Sequence, residues 1–242
     1  MKKNKFNSVL IIGMGLIGSS ISRAFKEKNI SDKIYGLDSN IDVINKCNEL
    51  NLLTQGETNI NNFNKQFDLV IICTPISTYK NVFRDLNDYI LEPTLITDVG
   101  STKVSVIEDY KKIINNKNIK FLPAHPIAGL EKSGPEHGFS KLFENRYCIV
   151  TPIDTDSVTY DSVTNMWSSL GMQVEKMIPT KHDKVLAMTS HIPQLIAYSV
   201  VATATELETH LKNEVIKYSA AGFRDFTRLA GSDPIMWRDI YE

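Results

Sequence analysis

The residues whose spacing could carry chemistry begin near the N-terminus. Gly13-Met14-Gly15-Leu16-Ile17-Gly18 sets three glycines in a G-x-G-x-x-G pattern, and Asp38 follows Gly18 at the interval of about twenty residues that suits a carboxylate on the next strand. Where a strand turns into a helix, each glycine has its own task. The first permits the tight turn, the second lets a phosphate approach the backbone, and the third lets helix pack against strand. Leu16 and Ile17 then open a helix whose N-terminal N–H groups would face a pyrophosphate. A carboxylate at 38 accepts from both ribose hydroxyls and repels a 2′-phosphate, for which Ser39 and Asn40 supply no arginine. The pattern therefore predicts a dinucleotide site that takes NAD rather than NADP. Cys73-Thr74-Pro75 closes a later apolar run at the sheet edge where such a cofactor lies, so Thr74 and Pro75 join the candidates. A plain strand exit accounts for them equally well.

Such a site needs a sheet to hold it. Short apolar runs at Ser8 to Ile12, Lys33 to Leu37, Leu69 to Cys73, Leu95 to Thr97, Phe121 to Ala124 and Cys148 to Val150 read as strands. Between them, Leu16 to Lys26, Tyr79 to Ile90 and Val104 to Ile114 carry helical spacing. Asp156 to Leu170, stopped by Gly171, predicts a further helix, and Gln173 to Met177 a last strand. Alternation of this kind predicts an α/β fold with a doubly wound, mostly parallel Rossmann-type sheet. After Pro179 the texture changes, and Lys181 to Tyr218 reads as long helix without a strand signal. The expected division is a dinucleotide-binding domain over 1–178 and a smaller all-helical domain over 179–242.

Composition excludes several classes. The 27 basic and 28 acidic residues give a formal net charge of -1, which favours neither nucleic acid nor an anionic membrane. Three scattered cysteines, Cys47, Cys73 and Cys148, suggest no disulfide framework and no metal site, and fit a reducing cytoplasm. Met1-Lys2-Lys3 ahead of an apolar run imitates a secretion signal, but the glycine spacing inside that run argues against it. No segment has the roughly 18 consecutive apolar residues expected of a spanning helix.

Further motifs occur in order along the chain: Asp98-Val99-Gly100-Ser101-Thr102-Lys103, His125-Pro126-Ile127-Ala128-Gly129-Leu130-Glu131-Lys132-Ser133-Gly134, Leu142-Phe143-Glu144-Asn145-Arg146, Ser190-His191-Ile192-Pro193, Gly222-Phe223-Arg224-Asp225-Phe226-Thr227-Arg228 and Ser232-Asp233-Pro234-Ile235-Met236-Trp237-Arg238-Asp239. Together they closely resemble the prephenate and arogenate dehydrogenase family. The resemblance implies NAD-dependent oxidation and decarboxylation of a cyclohexadienol on the way to tyrosine. It further implies His125, on a sheet-edge loop, as the catalytic histidine that accepts the hydroxyl proton. Ser101 matches the serine that bonds the substrate hydroxyl or the histidine, and could equally cap the following helix. Arg228 matches the arginine that grips a substrate carboxylate, while Arg224 and Arg238 suit structural ion pairs. Glu131 corresponds to an acid near the pocket mouth.

His191 is implied as a pocket residue, on a helix that Pro193 should bend by removing an N–H. Gln194 stands where many prephenate-using relatives carry a second histidine, so the choice between prephenate and arogenate stays open. The resemblance also implies a homodimer through the helical domain. The chain ends at Glu242, where family members usually continue, and a shortened end would weaken that dimer. Two other readings compete. A β-hydroxyacid dehydrogenase would need Lys181 or Lys184 as its base, and a catalytically silent NAD-binding module would bind cofactor without turnover.

Overall fold

Four-residue apolar runs make the centre of the first sheet. In the computed structural model, which describes residues 5–130, 132–206, 211, 214–215, 217–218 and 221–241, the strands are β1 (Val9–Ile12), β2 (Ile34–Leu37), β3 (Gln55–Glu57), β4 (Leu69–Ile72), β5 (Thr94–Asp98) and β6 (Ile119–Leu122). All pair in parallel, in the order β3-β2-β1-β4-β5-β6. Four helices connect them: α1 (Leu16–Glu27), α2 (Ile41–Glu49), α3 (Tyr79–Tyr89) and α4 (Val104–Ile113).

The runs are apolar throughout because both faces are covered. Val9, Ile11, Leu69 and Ile71 enter one core with Ile21 and Phe25 of α1. Their neighbours Leu10, Ile12, Val70 and Ile72 enter the other with Phe83 and Leu86 of α3. Alternate side chains of a strand point to opposite faces, so a strand buried on both sides shows no polar alternation. Strand order reverses between β1 and β4, which opens a crevice at their carboxyl ends.

The expectation of one sheet needs correction. The apolar run Phe121 to Ala124 is split by Pro123, which has no N–H to give a ladder, and the chain leaves the first sheet there. β7 (Ala124–Pro126), β8 (Tyr147–Val150) and β9 (Gln173–Lys176) form a second sheet in which β7 and β8 are antiparallel. β3 was also unforeseen, because Gln55-Gly56-Glu57 is a polar strand at the sheet edge. α5 (Ser157–Ser169) follows β8, and its first turn is capped by Asp156, whose Oδ1 accepts the Thr159 N–H at 2.9 Å.

The chain forms two compact units, Met1–His182 and Asp183–Glu242. The boundary falls inside α6 (Pro179–Leu186). Helix continues through a wide π turn over Ala187–His191 into α7 (Ile192–Glu206). The π turn ends two residues before Pro193, so the helix accommodates the missing N–H by widening. Part of the remaining stretch to Tyr218 expected to be helical lies outside the described residues. α8 (Ala221–Leu229) and α9 (Pro234–Tyr241) complete the second unit. By length and composition the helix over 179–206 could cross a membrane, with a mean hydropathy of 1.4 over its most apolar window, 22% of which is buried.

Candidate active site

The glycine turn stands at the crevice. Gly13 has φ +91°, and a Cβ there would lie 2.7–2.8 Å from backbone atoms of Cys73 and Thr74. Its N–H bonds the Leu37 carbonyl at 2.7 Å. The turn after β1 is thus wedged between the ends of β2 and β4, which also sets Thr74 beside it, with Pro75 next in the chain. A Cβ on Gly18 would come within 2.1 Å of the Gly13 carbonyl oxygen, so α1 packs directly on its own turn. Gly15 differs, because a Cβ there meets nothing within 4 Å.

That open space fits a dinucleotide. Gly15 caps α1 without a side-chain bond, and the first turn, starting with Leu16 and Ile17, holds no acid, which leaves the positive end of the helix for an anion. Asp38, at the end of β2, accepts the Met14 N–H on Oδ2 at 2.9 Å and the Asn40 N–H on Oδ1 at 3.0 Å. Each carboxylate oxygen retains a second lone pair for a ribose hydroxyl. Close by, burial and then the Asp98 charge push the Cys73 thiol far up, which favours its protonated form.

His125 lies in β7, a strand of the second sheet, rather than on the expected edge loop. Its position is set by a buried ion pair. Lys103 Nζ donates to Asp98 Oδ2 at 2.5 Å and to the Ala124 carbonyl at 2.7 Å, and Asp98 Oδ1 accepts the Ala124 N–H at 2.9 Å. Asp98 Oδ2 also accepts the Gly100 N–H at 2.9 Å and the Tyr79 hydroxyl at 3.2 Å. Burial first, and Asp98 second, hold the Tyr79 phenol well above its usual range, so it remains a donor. Both charged side chains are fully buried. The peptide of Ala124, one residue before His125, is therefore clamped at both its donor and its acceptor.

The His125 side chain is buried, at 8% exposure, and its Nδ1 lies 2.9 Å from Nε2 of fully buried His182 in α6. The rings meet edge to face with centroids 5.1 Å apart. Sequence reasoning missed His182 and weighed only its neighbours Lys181 and Lys184, both of which are exposed. A single histidine between lysines carries no local signal. Ser101 is half-buried on the loop from β5 to α4, the loop that Asp98 and Lys103 bind to β7. It is not the cap of α4, because that helix starts at Val104 with Lys103 in the cap position and no side-chain cap bond.

In the second unit, Arg228 is exposed in the last turn of α8. Gln194 is buried, and its Nε2 donates to the carbonyl of Leu229, the residue after Arg228, at 2.8 Å. The Tyr198 hydroxyl bonds the Ser232 carbonyl at 2.9 Å. Buried His191 stands edge-on to Trp237 at 5.9 Å, and its carbonyl accepts the Tyr241 hydroxyl at 3.1 Å. The unit thus brings Gln194 next to the end of the Arg228 helix and packs His191 against α9. Arg238 pairs with Asp239 at 2.8 Å, the structural role expected for it. Glu131 lies outside the described residues.

A glycine turn at a switch point, a carboxylate on the neighbouring strand and a buried histidine after the sixth strand define a nucleotide-dependent oxidoreductase. The family description "Prephenate dehydrogenase, nucleotide-binding domain" matches residues 21–176, and "Prephenate dehydrogenase, dimerization domain" matches 178–242. The chain belongs to the prephenate dehydrogenase family, and it is an NAD-dependent dehydrogenase. It is 35% identical over 238 residues to the cyclohexadienyl dehydrogenase of Zymomonas mobilis, covering 97% of this chain and 80% of that one. It is 34% identical to the prephenate dehydrogenase of Bacillus subtilis over 97% of its own length, but spans only 63% of that relative. A crystal structure of prephenate dehydrogenase from A. aeolicus in complex with hydroxyphenyl propionate and NAD+ superposes with a TM-score of 0.89 at 36% identity, covering 97% of this chain and 82% of that one.

Proposed function

We propose that this chain catalyses the NAD-dependent oxidative decarboxylation of prephenate or arogenate. The observation that carries the proposal is the buried, doubly anchored His125 on the side of the sheet that holds the glycine turn. Oxidation removes hydride from the ring carbon that bears the hydroxyl, while the hydroxyl proton passes to an acceptor. NAD, when bound, supplies the hydride acceptor. His125 takes the hydroxyl proton as the carbon becomes carbonyl-like, and Ser101 bonds the same hydroxyl. The bond from the ring to its carboxylate then breaks, its electron pair restores aromaticity, carbon dioxide leaves, and the proton returns to the ring oxygen. Gly13, Gly15, Leu16, Ile17, Gly18, Asp38, Thr74 and Pro75 hold the cofactor. Arg228 grips a substrate carboxylate with a bidentate fork, His191 and Gln194 line the same substrate pocket, and Glu131 is an acid near its mouth.

The test is NADH formation by purified protein with NAD and either substrate, with His125→Asn in parallel. Turnover on one substrate, lost by a factor of about 10² or more in the variant, supports the assignment. Absence of turnover on both, with NADH still binding tightly, refutes it in favour of a silent cofactor-binding module.

Residues 1–178 serve as the cofactor domain and 179–242 as the dimerisation and substrate domain. Val185, Met188, Ile192, Leu195 and Ile196 are exposed at spacings that make one apolar stripe along α6 and α7. That stripe is the subunit contact of a homodimer. Sedimentation should give a dimer that Leu195→Glu dissociates, whereas flotation with lipid vesicles would overturn this reading.

A further inference from the structure

The geometry points to His182 as a positioning residue that fixes the proton on Nδ1 of His125, an inference that rests on the function proposed above. Of the two ring nitrogens of His125, Nδ1 is committed to His182 Nε2 at 2.9 Å. A hydrogen bond between two imidazole nitrogens needs one donor and one acceptor, so one shared proton decides the tautomers of both rings. For His125 to receive the substrate proton, chemistry falls to Nε2, which must then present a lone pair. The proton of neutral His125 therefore sits on Nδ1 and is donated to His182 Nε2. With the two rings at 8% and 0% exposure, bulk water does not substitute for either partner.

The arrangement has a second consequence during turnover. When Nε2 of His125 takes the hydroxyl proton the ring becomes imidazolium, and its Nδ1–H then donates to His182 as a charge-assisted bond. An uncharged acceptor orients the ring and steadies the cation. Unlike a carboxylate, it places no negative charge beside the base, so it raises basicity less. The backbone clamp acts from the other side. Asp98 and Lys103 hold the Ala124 peptide, so the main chain of His125 is fixed by one pair and its ring by another.

Two independent readouts test this. The first is nitrogen NMR of the histidine rings in the NADH-bound wild type, where His125 should carry its proton on Nδ1. A proton on Nε2 would overturn the proposal even if the reaction assigned above proved wrong. The second is kinetic. His182→Leu should lower kcat by about 10- to 100-fold, the loss expected when a bond to a developing charge is removed. KM should change by less than about threefold, the mark of an interaction made in the transition state.

His182→Gln, whose amide oxygen can take the place of Nε2, should restore most of kcat. It also keeps the test open if the leucine variant fails to fold. In His182→Leu the acid limb of the kcat profile should move to lower pH, because the imidazolium has lost its acceptor. Among the described residues, the ionisable groups set around His125 include His182 on α6, Cys148 on β8, and Asp98 and Lys103 behind Ala124, of which only His182 is altered. Wild-type kcat and an unmoved limb in His182→Leu would show that the contact is packing alone.

Discussion

Lys103→Met tests the buried clamp most severely. The substitution keeps the aliphatic stem and removes the ammonium. Asp98 would still accept from the Ala124 N–H, the Gly100 N–H and the Tyr79 hydroxyl, but its charge would lose the lysine at zero exposure. The Ala124 carbonyl would lose the lysine as donor. Removing one partner of a buried pair costs about 3–5 kcal/mol, a large share of the about 5–15 kcal/mol that holds a domain folded. In a unit of this size the unfolding midpoint should fall by about 6–20 °C, measured by calorimetry at pH 7.

Replacing both partners by apolar groups is usually neutral or stabilising. Here it should not be. Asp98→Leu with Lys103→Met strands the Ala124 and Gly100 N–H groups at about 1–3 kcal/mol each, while the Tyr79 hydroxyl keeps the Ile72 carbonyl at 3.4 Å. The double variant should therefore stay destabilised by about 2–6 kcal/mol, and should lose turnover at temperatures where it is folded, because the Ala124 peptide carries His125. A double variant as stable as the wild type would refute the argument that this carboxylate terminates backbone groups.

The remaining predictions concern the cofactor turn and the thiols. Gly13→Ala meets Cys73 and Thr74 backbone at 2.7–2.8 Å in a left-handed conformation and should be destabilised by more than about 1 kcal/mol. Gly15→Ala, with nothing within 4 Å, should keep its melting temperature and lose NADH affinity in a fluorescence titration, and equal effects at the two sites would refute the division of labour. Asp38→Asn removes the charge that repels a 2′-phosphate, so the ratio of NADP to NAD dissociation constants should fall by about tenfold or more. Cys47 is pushed by burial, and next by Asp38, from 9.0 to about 11. A raised folded value means that the folded protein holds the proton longer. Stability is thus fully present below pH 9.0 and declines up to about pH 11, and Cys47→Ala should remove that part of the decline in urea unfolding.

What could be read from the sequence was what the chain settles locally. The glycine turn needs only its two flanking strands: Gly13 bonds Leu37, Met14 bonds Asp38, and all lie within one β-α-β unit. Strands buried on both faces announce themselves as unbroken apolar runs, and β1, β2 and β4 were found within a residue of their ends. The polar edge strand β3 and the departure at Pro123 were not, because each depends on where the rest of the sheet ends.

The histidine site is nonlocal throughout, and this explains why only a family resemblance could point to it. His125 is placed by a carboxylate from the end of β5, a lysine from the cap of α4 and an imidazole from α6. The bonds that tie them to β7 span 21, 26 and 57 residues, far outside helical or strand spacing. A fully buried lysine and a fully buried histidine look, in sequence, like solvated residues near a turn, since burial of such groups is rare without pairing. Their burial is stable only because the partners converge, and convergence is a property of the fold. The same residues that make the site hard to foresee also make it rigid. On the function proposed above, a histidine held through its backbone by a charge pair and through its ring by a hydrogen bond has little freedom left to lose when substrate arrives, which is the condition for efficient proton transfer in the transition state.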